Sequence, residues 1–214
     1  EPKMNALLKK SLAEFVGVTV FLTSIIGATG ILRTIAFALT IGLMILLLRP
    51  ISGAHLNPAT SLYFLSKRQI TTGTFLAYVG AQLAGALAGV ALGEAISGGN
   101  IGGFSGLASN LPSAYFIGEV LATAGMIFLI GTLLNNKQDT WLPFAVTAWV
   151  IAAATFTKTG AQANPAVTFG LMFNGMPANQ GVALMVAEVT GVLVAVILLM
   201  IFSPSKKKQG TRKK

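Results

Sequence analysis

Asn57 and Asn164 occupy the same place in two similar stretches, SGAHLNPATS (residues 52–61) and TGAQANPAVT (residues 159–168), each inside an otherwise apolar region. Asparagine is among the strongest helix N-caps, and proline suits the first helical position, where its missing N–H has no partner to lose. Asn57-Pro58-Ala59 and Asn164-Pro165-Ala166 therefore read as two helix starts. Their side-chain amides keep N–H donors that a small polar molecule can use. Hydrogen-bond donation is the chemistry these side chains offer.

Other chemistries lack their parts. His55 is the single histidine and there is no cysteine, which leaves no metal-ligating set and no disulfide. No Ser-His-Asp or paired-carboxylate arrangement supplies a nucleophile with a base, so neither an enzyme nor a cofactor is expected. Glu14 and Glu119 lie within apolar runs, where a bare carboxylate costs about 3 kcal/mol or more, so each needs assigned partners. A proton relay would need a chain of titratable groups, and the remaining glutamates, Glu94 and Glu188, read as lying near span ends or interfaces.

The elements that must position these residues are membrane helices. The chain is 54% hydrophobic and 10% charged, with a mean hydropathy of +0.75, more apolar than a soluble domain of 214 residues. Apolar runs near residues 12–29, 34–48, 74–96, 114–134, 141–157 and 181–202 each approach the roughly 20 residues that cross hydrocarbon as a helix. The net charge of +9 is distributed by topology and not as a nucleic-acid-binding surface. Lys3, Lys9, Lys10, Arg49, Lys67, Arg68, Lys137 and the tail lysines and arginine at 206–214 fall on one side of a six-span chain, and only Arg33 and Lys158 on the other. The positive-inside rule then puts both termini in the cytoplasm.

The chain also repeats. Asn57 and Asn164 are 107 residues apart, and Glu14 and Glu119 are 105 apart. Gly80, Ala84 and Ala88 align with Ala187, Gly191 and Ala195, small residues at four-residue spacing that let helices approach closely, reinforced by a Gly85, Gly89, Gly93 row. Three spans per half is an odd number, so the second half must be inverted. A single membrane domain over 1–214 is expected, with repeats at about 6–97 and 113–203, a glycine-rich link between them, and a basic cytoplasmic tail at 204–214. PATSLYFLS and PAVTFGLMF are long enough for about two helical turns, with Gly53 and Gly160 supplying irregular backbone before each cap. Re-entrant backbone is tolerated at membrane depth only where it is buried in protein or lines water, so a lined pore between the two segments follows.

AEFVG in the first span, ISGAHLNPA, Gln82, Glu119 and TGAQANPA resemble the aquaporin, or major intrinsic protein, family over residues 6–203. The resemblance implies an all-α membrane fold of six transmembrane helices and two re-entrant half-helices. It also implies a homotetramer with a pore in each subunit, conducting water and small neutral solutes across the lipid bilayer. It implies that Glu14 and Glu119 hold the re-entrant loops by accepting their N–H groups, and that His55 lines the cytoplasmic vestibule. The selectivity filter maps to Phe37, Ala152, Ala161 and Val167, where the family's usual arginine is replaced by Val167. Losing that cation widens the aperture and removes roughly 4 kcal/mol of repulsion between charges about 4 Å apart at an effective dielectric of about 20. Lys158 reads as a solvated loop residue, with restored positive potential there as the alternative, and Arg49 as a residue that snorkels or pairs near the cytoplasmic vestibule, with a cation barrier at the inner end as the alternative. Glycerol, urea or ammonia remain alternative solutes, and a secondary transporter the rival class.

Overall fold

The computed structural model describes residues 4–100 and 102–202. Lys3 and the basic segment 204–214 lie outside the described residues.

Six helices have the length and apolarity to cross a membrane. They are α1 (Ala6–Gly27), α2 (Gly30–Ser52), α4 (Thr72–Ser97), α5 (Ser113–Asn135), α6 (Leu142–Phe156, entered through a 3-10 turn at Asp139–Trp141) and α8 (Ala178–Phe202). Two short helices, α3 (Pro58–Ser66) and α7 (Pro165–Met172), complete the helical set among the described residues. Both begin on the expected caps: the Asn57 side chain accepts from Ala59 N at 2.8 Å, and the Asn164 side chain from Ala166 N at 3.0 Å.

The packing follows the repeat. α1 lies along α4 and α5 along α8, while α2 and α6 close the two halves together. Lipid gives apolar side chains no reason to prefer one another, so contact depends on how closely backbones approach. On α4 the approach is made at Gly85, Gly89 and Gly93, where an added Cβ would meet Phe15 O, Leu22 and Ile26 of α1. The other predicted stripe is not a contact of this chain: Gly80 has open space around it and Ala84 is exposed. On α8, by contrast, Ala187, Gly191 and Ala195 are buried against α5.

The reason is a one-residue change of register. The half-helices start 107 apart, at Pro58 and Pro165, but α7 is eight residues long and α3 nine, so α4 and α8 start 106 apart. Gly85 thus pairs with Gly191, and Gln82 with Glu188.

The glycine-rich link is partly ordered as a short strand β1 (Gly103–Ser105), parallel to β2 (Asn174–Pro177) directly after α7. The link between the halves is thereby tied to the exit of the second half-helix.

Candidate functional site

The two half-helices meet at their N-termini, joined by a reciprocal pair of hydrogen bonds. Asn57 Nδ2 donates to Ala163 O at 2.8 Å, and Asn164 Nδ2 donates to Leu56 O at 3.0 Å. Each asparagine thus holds the carbonyl of the residue just before the other. An amide NH₂ has two donors, so each Asn keeps one N–H after this bond. Two helix N-termini converging on one point also place roughly half a positive charge each there.

The backbone leading into each cap is held in an unusual conformation. Gly53 (φ 91°) and Gly160 (φ 76°) are left-handed, as their residue type allows, and so are Ala54, Leu56, Ala161 and Ala163, with φ between 48° and 55°. Non-glycine residues in this region cost of the order of 1–3 kcal/mol each and persist only where surrounding bonds determine them. Those bonds come from buried carboxylates. Glu14 accepts from Ser52 Oγ (2.6 Å), His55 N (3.0 Å), Leu56 N and Gln82 Nε2 (2.8 Å). Glu119 accepts from Thr159 Oγ1, Gln162 N (3.0 Å) and Ala163 N (2.7 Å). The arrangement repeats position by position, with Ser52 matched by Thr159, His55 by Gln162, and Leu56 by Ala163.

Glu188 departs from the sequence expectation. It lies at neither a span end nor an open interface but is fully buried, accepting from Asn164 N at 3.1 Å and Thr168 Oγ1 at 2.7 Å. Its counterpart Gln82 donates to both Glu14 and Ser61 Oγ, the latter at 3.1 Å, and Ser61 in turn pairs with His55 Nδ1 at 3.1 Å. The sequence signal was available in the 106-residue offset between Gln82 and Glu188, one short of the offset that aligns the asparagines.

His55 is buried, stacked on Phe64 with ring centroids 4.3 Å apart and edge-on to Tyr78. It lines an inner cavity of about 40 Å³ together with Ile45, Leu56, Asn57, Thr60 and Val146. One water needs about 10–15 Å³ on this measure, so the space suits a short file of waters. Arg49 also borders this cavity and pairs with Asp139 at the start of the 3-10 turn.

Toward the other end, Phe37 and Val167 line a second cavity of about 120 Å³ with Thr159, Gly160 and Gln162. Ala161 is buried between the last two. Ala152 is not brought to this place. It is exposed, on a different side of α6 from the buried Leu142, Val146, Val150 and Ala153. Lys158 is exposed and does not line the cavity, whereas Arg33 does. Among the described residues no group of three metal-ligating side chains occurs.

Comparison with known proteins agrees with this architecture. The sequence profile described as Major intrinsic protein matches residues 1–140. An aquaglyceroporin of Rhizobium meliloti is 30% identical, the alignment covering 90% of this chain and 89% of that protein. Aquaporin-5 of Mus musculus is 28% identical over 94% of this chain and 83% of its own length. The X-ray structure of the aquaglyceroporin from Plasmodium falciparum shares the fold, with a TM-score of 0.68 at 21% identity, covering 93% of this chain and 96% of that one. A six-span helical repeat with two capped half-helices, matched by the family profile over most of its length, is an integral membrane protein, and the chain belongs to the major intrinsic protein family.

Proposed function

We propose that this protein is a passive, non-enzymatic channel for water and small neutral solutes, with a pore in each subunit of a homotetramer and both termini in the cytoplasm. The observation that carries the reading is the reciprocal bond between Asn57 and Asn164 and each other's loop, beside a cavity of water dimensions. The remaining amide N–H groups turn a passing water's oxygen toward the two asparagines, and the half-helix dipoles repel a cation at the same point. A water so turned cannot continue the hydrogen-bonded chain along which protons hop. In this reading Glu14 and Glu119 anchor the loops, His55 lines the inner vestibule, and Phe37, Ala161 and Val167 shape the outer constriction.

A broader solute range is favoured by one particular observation. Val167 stands where an arginine would narrow the passage, which leaves an outer cavity bordered by an aromatic ring and an aliphatic side chain. Glycerol or urea then becomes a substrate alongside water.

Stopped-flow light scattering of proteoliposomes, challenged in turn with an impermeant osmolyte, glycerol and urea, tests both statements. Volume change faster than in protein-free liposomes is expected in all three. Rates equal to bare lipid with the impermeant osmolyte would refute the channel, and equal rates with glycerol and urea would refute the broader range.

A further inference from the structure

We infer that Arg33 supplies, at the outer mouth, the fixed positive charge that the position after the second Asn-Pro-Ala lacks, and so sets this channel's discrimination against small cations. The inference rests on the channel reading above.

Arg33 and Phe37 are four residues apart on α2, and helical geometry puts such a pair on one face. Both line the 120 Å³ outer cavity, together with Val167 and Gln162. Arg33 Nε donates to Ala28 O at 3.2 Å. Ala28 caps the C-terminal end of α1, where the helix dipole favours a cation, so this bond and the dipole both hold the guanidinium in place. The two terminal amino groups make no hydrogen bond or ion pair among the described residues, leaving their N–H donors for the vestibule. The anchoring carboxylate of this loop, Glu119, is occupied by Thr159, Gln162 and Ala163. Lys158, the other outer cation, does not border the cavity.

Arg33 lies one turn closer than Phe37 to the outer end of α2. Charge and width are therefore set in separate layers. Phe37 and Val167 bound the aperture, while Arg33 meets a cation before it arrives there. Screening over about 8 Å at physiological salt confines the effect to that mouth.

The test uses proteoliposomes of the wild type, R33A, R33Q, R33K and K158A, with water permeability read by light scattering and the leak of sodium and guanidinium measured alongside. The expected result is an approximately tenfold rise in the cation-to-water permeability ratio for R33A and R33Q, equivalent to about 1.4 kcal/mol. R33K is expected to recover the ratio and K158A to keep the wild-type value. R33Q retains a polar group beside the α1 terminus, so a folding defect in R33A alone does not hide the outcome. An unchanged ratio in the arginine variants, or an equal rise in K158A, overturns the inference while the channel reading stands. Wild-type vesicles no more permeable to water than bare lipid would overturn both.

Discussion

Glu188 accepts the backbone N–H of Asn164 at 3.1 Å, which makes a residue of the last span a direct support of the second half-helix cap. Replacement by alanine removes that acceptor, whereas Thr168 keeps its bond to Gln162 Oε1 at 2.6 Å. One buried donor is then orphaned, at a cost of about 1–3 kcal/mol. E188A is expected to lower the unfolding temperature in detergent and the water permeability, and E188Q, which retains a carbonyl oxygen, to recover most of both. Equal losses in the two variants would show that the carboxylate matters for another reason.

Glu119 carries more. E119A orphans the Gln162 and Ala163 N–H groups and the Thr159 hydroxyl together, each at about 1–3 kcal/mol. Set against a typical stability of 5–15 kcal/mol, that is a large fraction. Size-exclusion chromatography of the purified variant should show loss of the assembled species. Normal assembly with an altered pH dependence of flux would point to proton transfer instead.

Close helix approach is testable at a pair of glycines on one helix. A Cβ at Gly89 would lie 2.7 Å from Thr19 O and against Leu22, while one at Gly80 meets nothing within 4 Å. Overpacking of this kind costs about 1–3 kcal/mol. Thermal unfolding should therefore separate G89A, destabilised, from G80A, close to wild type.

The chain contains no cysteine, so mercury ions should leave its water permeability unchanged. Val146 is buried and borders the inner cavity with His55 and Asn57, so a thiol placed there is reached from the pore. V146C should be blocked by mercury and reopened by a thiol reductant. Wild-type inhibition, or a V146C channel indifferent to mercury, would move the pore away from this cavity.

Much of the architecture was legible because membrane insertion constrains sequence so strongly. Apolar runs near 20 residues read as spans, and Asn-Pro twice as caps. What escaped is geometrical. Ala54, Leu56, Ala161 and Ala163 are left-handed because distant carboxylates bind the neighbouring N–H groups, and no local residue preference announces that. Carrying the 107-residue offset of the asparagines into the third and sixth spans hid the loss of a residue in α7, which misplaced the small-residue stripe on α4 and concealed Glu188. Ala152 is a filter position implied by the resemblance, but a place in the chain does not specify which side of α6 turns inward. Arg33 reads from the sequence only as an outer cation, although its four-residue spacing from Phe37 on one helix was the signal that both line the same cavity.

The crossed asparagine bonds bear on how the molecule is made. The acceptor for Asn57 Nδ2 is the carbonyl of a residue synthesised 106 positions later. The first three-helix unit alone therefore cannot complete this contact, and the second cannot complete the bond from Asn164 to Leu56 O. Each half supplies the carbonyl that fixes the other's cap, so the junction is a property of the joined halves.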